Sequence, residues 1–262
     1  MIILTGSRGF IGQNFLKQLS EPVIEVEKDD AYKFISSFEK WDQVSLILHQ
    51  GAISSTTEKN ISTLHHNNVV FSLFLFEKAI QYKIPVKYAS SASVYGNTKG
   101  QINPLNYYAI TKLQIDYFVQ DNLDKFSSIQ GFRYFNVYGN GEEHKGDQAS
   151  PISKFTKQIK ETRKLKLFNG SDKFLRDFIC VDDVVDVVLY NKQESGIYDL
   201  GTGIPISFQE VAELVVEKEK GEIEYIDFPE HLKGKYQDYT CADMNWIGKY
   251  KFKTVQEYLM SN

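Results

Sequence analysis

Cysteine is scarce in this sequence of 262 residues, and long apolar runs are missing. The two cysteines, Cys180 and Cys241, lie far apart, which argues against a disulfide framework and favours a reducing, cytoplasmic environment. The longest apolar run, Val69 to Phe76, falls short of the roughly 18 residues that a membrane span needs. Met1 to Thr5 is apolar and has no basic leader before it, so no signal peptide is expected.

Positive charge is not in excess either. Lys and Arg number 30 against 34 for Asp and Glu, which gives a formal net charge of −4, and no basic block occurs. Nucleic acid and anionic membranes are therefore not expected as partners, and a small molecule is. No group of residues is predicted to hold a metal. Apolar residues make up 42% of the chain, so a globular core is expected.

Short apolar segments alternate with longer helix-like segments over the first half of the chain. The apolar segments are Met1–Thr5, Val23–Val26, Val44–His49, Val86–Ser90 and Ile129–Phe135. Parallel strands buried on both faces have continuous apolar sequences and need helical crossovers, so the pattern predicts an α/β fold with a Rossmann-type doubly wound parallel sheet. We predict a dinucleotide-binding domain over 1–138, to which parts of 176–203 return. A smaller, discontinuous substrate lobe is predicted over 139–175 and 204–262.

The first predicted strand runs directly into a glycine-rich loop, Gly6–Gly12. In a dinucleotide-binding turn, Gly6 would permit the tight turn, Gly9 the approach of a pyrophosphate and Gly12 the close packing of the following helix. The N-terminus of that helix would supply amide donors and the positive end of its dipole. An ordinary turn between strand and helix is the alternative.

Charged residues near the second strand give conflicting indications about the cofactor. Glu27 and Lys28 follow this strand, and an acidic residue there would bind the ribose hydroxyls of NAD. Arg8 and Lys33 could instead pair with the 2′-phosphate of NADP, unless both are solvated surface charges. The sequence therefore does not decide between NAD and NADP as the cofactor, although the two basic residues favour NADP.

Tyr108 and Lys112 are four residues apart and so share one face of a predicted helix. The Lys112 ammonium and the positive nicotinamide would lower the pKa of Tyr108, which could then exchange a proton with a sugar hydroxyl. Ser91 stands at the C-terminal end of a predicted strand, where ligands bind in open α/β sheets. The three residues together predict a catalytic site.

In the order glycine loop, Ser91, Tyr108 and Lys112, the chain resembles the extended short-chain dehydrogenase/reductase family of nucleotide-sugar enzymes. The resemblance implies that Ser91 hydrogen-bonds the reacting oxygen, Tyr108 is the acid/base, and Lys112 holds the nicotinamide ribose. Further segments are similar to the ADP-L-glycero-D-manno-heptose 6-epimerases of that family. They are His49–Ala52, Ser54–Glu58, Gly131–Gly139, His144–Gly146 followed by Ala149–Ser150, Leu167–Phe168, Gly170–Ser171, Arg176–Phe178, Gly201–Gly203 and Leu232–Gln237.

This resemblance implies an epimerase that oxidises a carbinol carbon with a tightly held nicotinamide cofactor and reduces it again from the other face. The similarity to the heptose 6-epimerases implies that the reaction is inversion of C6 in an ADP-linked, or otherwise nucleotide-linked, manno-heptose. The predicted cofactor-binding residues are Gly6, Arg8, Gly9, Phe10, Ile11, Gly12, Glu27, Lys28, Lys33, Gly51, Ala52, Asn68, Tyr108 and Lys112. The predicted substrate-binding residues are Ser55, Ser91, Asn136, His144, Lys145, Arg176 and Tyr236.

Some of these residues have simpler interpretations. Asn136 and Arg176 would bind the sugar diphosphate, but Asn136 could form a turn and Arg176 could pair with Asp177 or Asp182. Tyr236 could be a packed aromatic side chain. Lys145, with a lowered pKa, is predicted to be a second acid/base, because inversion presents the sugar oxygen in two orientations. Its alternative is an ion pair with Glu142, Glu143 or the diphosphate.

Three rival functions follow from the same residues. A UDP-hexose 4-epimerase needs only Ser91, Tyr108 and Lys112, so it remains the main alternative. A 4,6-dehydratase is disfavoured because Ser91, Ala92 and Ser93 offer no acidic side chain. A non-catalytic dinucleotide sensor is the alternative from another class. The chain is shorter than the family pattern between Lys28 and Trp41 and between Gly96 and Asn106, which leaves the nucleotide and the sugar open.

Two helix-like segments, Asn68–Tyr82 and Tyr107–Leu123, are apolar on more than one face. One face can pack on the sheet, and the surplus would be covered by another subunit or by the C-terminal lobe. The surplus side chains include Phe71, Leu75, Tyr117 and Phe118. A homo-oligomer is therefore predicted.

Overall fold

A computed structural model describes residues 1–98, 100–230 and 237–261 of the chain. The strands are β1 Ile2–Thr5, β2 Val23–Val26, β3 Leu46–His49, β4 Val86–Ser91, β5 Ile129–Tyr134, β6 Asn136–Tyr138, β7 Lys164–Phe168, β8 Leu175–Arg176, β9 Phe178–Cys180, β10 Gly196–Leu200, β11 Ile206–Ser207 and β12 Glu222–Ile226. The α-helices are α1 Phe10–Gln18, α2 Ala31–Ser37, α3 Ile61–Leu64, α4 Phe71–Tyr82, α5 Tyr107–Asp121, α6 Pro151–Thr162, α7 Val181–Tyr190, α8 Phe208–Glu219 and α9 Val255–Ser261.

Six strands form the main sheet in the order β10-β5-β4-β3-β1-β2. The pairs from β5 through β4, β3 and β1 to β2 are parallel, which confirms the predicted fold class. The chain order reverses at β1, because β2 lies on one side of it and β3 on the other. Ligands of such sheets bind at this switch point, beyond the carboxyl ends of the strands.

Apolar strand residues and the helices α4 and α5 build the core of this sheet. Ile3, Ile47, Val86 and Ile129 are buried with residues of both helices. Burial of these strands on both faces explains their continuous apolar sequences.

Phe71 and Leu75 belong to the same core, where 6% and 0% of their surface is exposed. The prediction that these two side chains need another subunit is therefore wrong. They lie on the α4 face that packs on the sheet. Phe118 also packs against this core, whereas Tyr117 is exposed.

The chain divides into two compact units. The first unit comprises Met1–Gly96, Ile102–Tyr134 and Val185–Asp199, and the second comprises Asn97–Gln101, Phe135–Val184 and Leu200–Asn262. The predicted domain boundaries stay a prediction. The second unit contains the parallel pairs β6/β9 and β7/β12 and the antiparallel pair β8/β11. Among the helices of the described segments, none is long and apolar enough to cross a bilayer.

Candidate active site

The loop after β1 can be built only from glycines at two positions. Gly6 has φ +66°, and a Cβ there would lie 2.7 Å from the Cα of Gly51. A Cβ on Gly12 would lie 2.0 Å from the carbonyl oxygen of Gly6. Gly9 precedes α1, whose first N–H groups have no acceptor within the helix. The loop therefore forms a narrow cradle of backbone donors that suits a pyrophosphate.

Glu27, just after β2, braces this loop. Its Oε1 accepts hydrogen bonds from Ser7 Oγ and from the backbone N–H of Arg8, both at 2.8 Å. The residues Arg8, Lys28 and Lys33 are exposed. Glu27, the acidic candidate for cofactor selection, thus lies next to Arg8, a basic candidate.

A buried histidine, for which the sequence predicted no role, joins three elements under the loop. His49 Nδ1 lies 2.7 Å from Thr5 Oγ1, and His49 Nε2 lies 2.7 Å from Ser72 Oγ. Thr5 Oγ1 also accepts from the N–H of Gly51 at 2.9 Å. Burial lowers the pKa of His49 to about 3, so its imidazole is neutral at neutral pH. This chain of hydrogen bonds fixes the ends of β1 and β3 on either side of the switch point.

Asn68 holds the next segment of backbone in place. It is fully buried in the π-helical turn His65–Val70 between α3 and α4. Its Oδ1 accepts from the N–H of Ile53 at 2.8 Å, and its Nδ2 donates to the Ile53 carbonyl at 3.0 Å and to Thr111 Oγ1 at 3.1 Å. Asn68 therefore ties the Gly51–Ile53 segment to α5, and its predicted contact with the cofactor stays a prediction.

Three of the four predicted catalytic residues, Ser91, Tyr108 and Lys112, lie together in the first unit. Asn106 caps α5, because its Oδ1 accepts from the N–H of Ala109 at 2.9 Å. Tyr108 in the first turn forms a side-chain hydrogen bond with Ser91, the last residue of β4. Lys112, one turn later, donates to the carbonyl of Ala89 at 2.7 Å, and its Nζ lies 6.0 Å from the centroid of the Tyr108 ring.

Burial dominates the ionisation of this pair. It raises the pKa of Tyr108, and the hydrogen bond with Ser91 acts in the opposite direction. Burial also lowers the pKa of Lys112 to about 8, opposed by the charge of Asp116. Burial thus opposes the predicted lowering of the pKa of Tyr108 by Lys112 and a positive nicotinamide, and that lowering stays a prediction for the enzyme with its cofactor. In the chain by itself, Tyr108 is a neutral phenol at neutral pH.

Asp116 is a further buried residue next to this site. It receives hydrogen bonds from Tyr88 OH at 3.0 Å, Ser90 Oγ at 3.0 Å and Arg133 Nε at 2.9 Å. It thereby fastens α5 to β4 and β5, one turn beyond Lys112. No local sequence signal indicates this role, because the three partners lie 17 to 28 positions away along the chain.

Two buried polar atoms have no hydrogen-bond partner within the part of the chain that the structure describes: Gln50 Nε2 and Ser93 Oγ. Gln50 directly follows β3, and its Oε1 accepts from Tyr134 OH at 2.9 Å. Ser93 lies two residues beyond the end of β4, in the short 3-10 helix Ala92–Tyr95. Buried polar atoms normally have partners, so these two atoms are candidates for hydrogen bonds to a ligand at the carboxyl edge of the sheet.

Lys145 and His144 lie on the loop Gly139–Ser150 in the second unit. They belong to a short 3-10 segment, Glu143–Gln148, and His144 is exposed. Burial lowers the pKa of Lys145; the charge of Glu142 opposes this effect and that of Lys154 adds to it. The pKa of Lys145 is thus shifted in the direction that favours proton transfer at neutral pH.

The predicted diphosphate-binding residues of the second unit are held by backbone groups. Asn136 Nδ2 donates to the carbonyl of Asp177 at 3.1 Å. Arg176 is buried and donates to the carbonyls of Leu175, at 2.9 Å, and of Gln237. Their contact with a substrate stays a prediction.

Asp177, named above as an alternative ion-pair partner of Arg176, binds backbone groups. Its carboxylate accepts from the backbone N–H groups of Thr202 at 2.7 Å and of Gly203 and Ala242 at 2.9 Å.

Of the remaining predicted residues, Ser55 belongs to the first unit, where its hydroxyl lies 3.0 Å from Thr57 Oγ1. Tyr236 lies outside the described residues.

Comparisons with known proteins agree with this geometry. The sequence model of the NAD dependent epimerase/dehydratase family matches residues 2–201. The ADP-L-glycero-D-manno-heptose-6-epimerase of Helicobacter pylori is 26% identical, with a TM-score of 0.82 over 99% of this chain and 94% of that one. UDP-glucose 4-epimerase of Thermotoga maritima, solved with UDP-glucose, is 21% identical, with a TM-score of 0.83 over 98% and 96%.

UDP-glucose 4-epimerase of Thermus thermophilus, solved with NAD, is 19% identical, with a TM-score of 0.78 over 99% of this chain and 96% of that one. At this identity, and at that of the Thermotoga enzyme, the likeness concerns the fold. The family match confirms the resemblance predicted from the motifs. Because that match covers residues 2–201 of 262, the chain belongs to the NAD dependent epimerase/dehydratase family.

Proposed function

We propose that this enzyme inverts C6 of an ADP-linked manno-heptose by transient oxidation and reduction. The observation that carries the reaction type is the Ser91–Tyr108 hydrogen bond beside the buried Lys112, at the carboxyl end of β4. The choice of C6 is supported by the loop Gly139–Ser150, which holds a lysine of lowered pKa, and by the similarity to the Helicobacter pylori enzyme.

The first unit suits a nicotinamide dinucleotide. The Gly6–Gly12 cradle and the N-terminus of α1 would hold the pyrophosphate, and Lys112 would hold the nicotinamide ribose. Gln50 Nε2 and Ser93 Oγ are buried donors available at the same edge of the sheet. When bound, the nicotinamide would take a hydride from the carbinol carbon of the sugar and return it.

For the adenosine end of the cofactor we propose NADP over NAD. Glu27 Oε1 is already engaged by Ser7 and by the backbone of Arg8, so part of its charge is compensated. The exposed Arg8 guanidinium is then the group available to pair with a 2′-phosphate.

The chain's own residues would move the proton at the sugar oxygen. Ser91 would hold that oxygen. Beside a positively charged nicotinamide, Tyr108 would be a tyrosinate that accepts the hydroxyl proton when the hydride leaves, in one orientation of the sugar. Inversion requires the second hydride transfer to reach the opposite face of the carbon, so the oxygen then has different surroundings. The Lys145 ammonium would donate a proton to the oxygen in this second orientation.

The rival functions differ at identifiable residues. A UDP-hexose 4-epimerase would use Ser91, Tyr108 and Lys112 and would not need Lys145. A dehydratase needs an acid beside the serine, and Ala92 and Ser93 occupy those positions in the 3-10 helix after β4. A sensor would bind a dinucleotide reversibly and convert no sugar.

Incubation of the purified protein with ADP-, GDP- and UDP-linked heptoses and hexoses tests the proposal. NMR should show inversion at C6 of the ADP-linked heptose. In heavy water the product should carry no deuterium at C6, because the hydrogen that leaves the carbon is the one returned. Inversion at C4 of a UDP-hexose would establish the rival epimerase, deuterium at C6 would establish deprotonation chemistry, and no turnover would favour the sensor.

Two substitutions test the proton-transferring residues. Tyr108→Phe and Lys145→Met should each lower the rate of epimerisation by at least about 10², the lower range for general acid/base catalysis, with cofactor affinity retained. Tyr107→Phe and Lys157→Met, at exposed neighbouring positions, are the matched controls. Near-normal turnover of Lys145→Met would remove that residue from the mechanism and favour the 4-epimerase.

A further inference from the structure

The loop Gly139–Ser150 is closed by a buried carboxylate. Only 2% of the Glu142 surface is exposed, although the residue belongs to a polar loop. Its Oε1 accepts from Ser150 Oγ at 2.7 Å and from the N–H of Gly139 at 3.2 Å, and its Oε2 accepts from the N–H of Ser150 at 2.6 Å. One side chain therefore binds both ends of the loop.

The same carboxylate lies at the start of a helix. Ser150 is the N-cap of α6, since its Oγ accepts from the N–H of Ser153 at 3.2 Å, and Pro151 occupies the first turn. A negative charge is favourable at a helix N-terminus. Three charge-assisted hydrogen bonds and the helix dipole offset the cost of burying Glu142.

Lys145 is tied to this carboxylate through the backbone. Its N–H donates to the carbonyl of Glu142 at 2.9 Å, which forms the turn that carries the lysine. Gly146 follows with φ +53° and ψ −121°, a conformation that favours glycine, so the chain turns sharply just after Lys145. The position of Lys145 thus depends on the turn that begins at Glu142.

We infer that Glu142 is a positioning residue for Lys145: it closes the loop Gly139–Ser150 through both of its ends and places a fixed negative charge beside the lysine. This inference rests on the proposed function for the role of Lys145, and on the hydrogen bonds alone for the closure of the loop. Breaking these bonds would release the loop and remove the charge. A displacement of about 1 Å at a reacting group can cost on the order of 10² in rate.

The charge of Glu142 also acts on the pKa of Lys145 in a defined direction. It raises the pKa of Lys145 against the lowering by burial, and Lys154 on α6 lowers it further. Tyr258 on α9 faces the charges of Glu142 and Glu143. Removal of the negative charge at position 142 should therefore shift the pKa of Lys145 downward.

Glu142→Gln is the test, with Glu143→Gln as the matched control. Glu143 is exposed, lies in the same loop and undergoes the same change of charge. Glu142→Gln should lower kcat on the order of 10² with little change in cofactor affinity, and should move the Lys145-dependent limb of the pH profile of kcat to lower pH. Glu142→Asp retains the charge with a shorter reach, so it should lower kcat and leave that limb in place. Equal profiles for wild type and Glu142→Gln, or equal effects of both glutamine variants, would overturn the inference.

Limited trypsin digestion tests whether Glu142 closes the loop, and it needs no activity assay. Trypsin should cut after Lys145 faster in Glu142→Gln than in wild type or Glu143→Gln, as followed by mass spectrometry of the fragments. Equal cleavage rates would show that Glu142 does not close the loop. If wild type converts no nucleotide sugar, the proposed function fails and the role toward Lys145 fails with it, whereas the digestion still decides whether the loop is closed.

Discussion

We expect two side chains of opposite charge, Arg8 and Glu27, to decide which cofactor the first unit selects. If Arg8 binds the 2′-phosphate, Arg8→Ala should weaken NADP binding by about 1 to 3 kcal/mol, the range for charged hydrogen bonds, and leave NAD nearly unchanged. Glu27→Gln should strengthen NADP relative to NAD, because it removes a charge that repels the phosphate. Calorimetric titration of both variants with both cofactors measures the change. Equal weakening of NAD and NADP by Arg8→Ala would contradict the proposed preference.

Individual residues also show how far the sequence alone could lead. The glycine loop, Ser91, Tyr108 and Lys112 could be predicted because their spacing follows from the local geometry of a turn, a strand end and a helix face. The hydrogen-bonding roles of His49, Asp116 and Glu142 could not be predicted, because the role of a buried polar group depends on its partners. Asp116 binds residues 28, 26 and 17 positions away, and nothing local marks such a contact.

The strands and helices also divide into those that the sequence predicts and those that it does not. The five strands of the first half were predicted because strands buried on both faces have continuous apolar sequences. The two-residue strands β8 and β11 have no such run and depend on pairing with each other. The burial that raises the pKa of Tyr108 in the chain by itself could not be predicted, because the spacing of Tyr108 and Lys112 does not show how deeply α5 places the phenol.

The attachment of α5 to β4 is a testable property of these two elements. Lys112 donates to Ala89, and Asp116 accepts from Tyr88 and Ser90, so three consecutive strand residues are bonded to two helix residues one turn apart. This attachment sets the distance of Tyr108 from Ser91. The side chain of Arg133, 14% exposed, pairs with the same Asp116 carboxylate.

Asp116→Asn should destabilise the protein by about 3 to 5 kcal/mol, because it leaves the buried Arg133 without its counter-charge. Asp121→Asn, at the exposed end of the same helix, should change the free energy of unfolding by no more than about 0.5 kcal/mol. Urea unfolding of both variants at pH 7 measures the difference. Similar unfolding free energies for the two variants would show that the Asp116 contacts do not fasten the helix.

The exposed apolar surface of α5 bears on the assembly of the whole molecule. Tyr107, Ile110 and Tyr117 lie on one side of this helix, and 43%, 40% and 52% of their surface is exposed. Ile61 and Val70, on the neighbouring segment before α4, are 53% and 40% exposed. Large aromatic and branched side chains clustered on one face are typical of an interface, and symmetric pairing of identical chains is the most common way to cover one.

We therefore expect the protein to form a homo-oligomer through this face of α5. Light scattering at micromolar concentration should give a mass above the 30.2 kDa of one chain. Tyr117→Arg should shift the protein to the monomer, since a guanidinium buried in the interface would have no partner. Tyr190→Arg, at a residue of α7 that is 63% exposed, should leave the mass unchanged. A monomeric wild-type protein would refute the oligomer, and an unchanged mass for Tyr117→Arg would place the interface on another face.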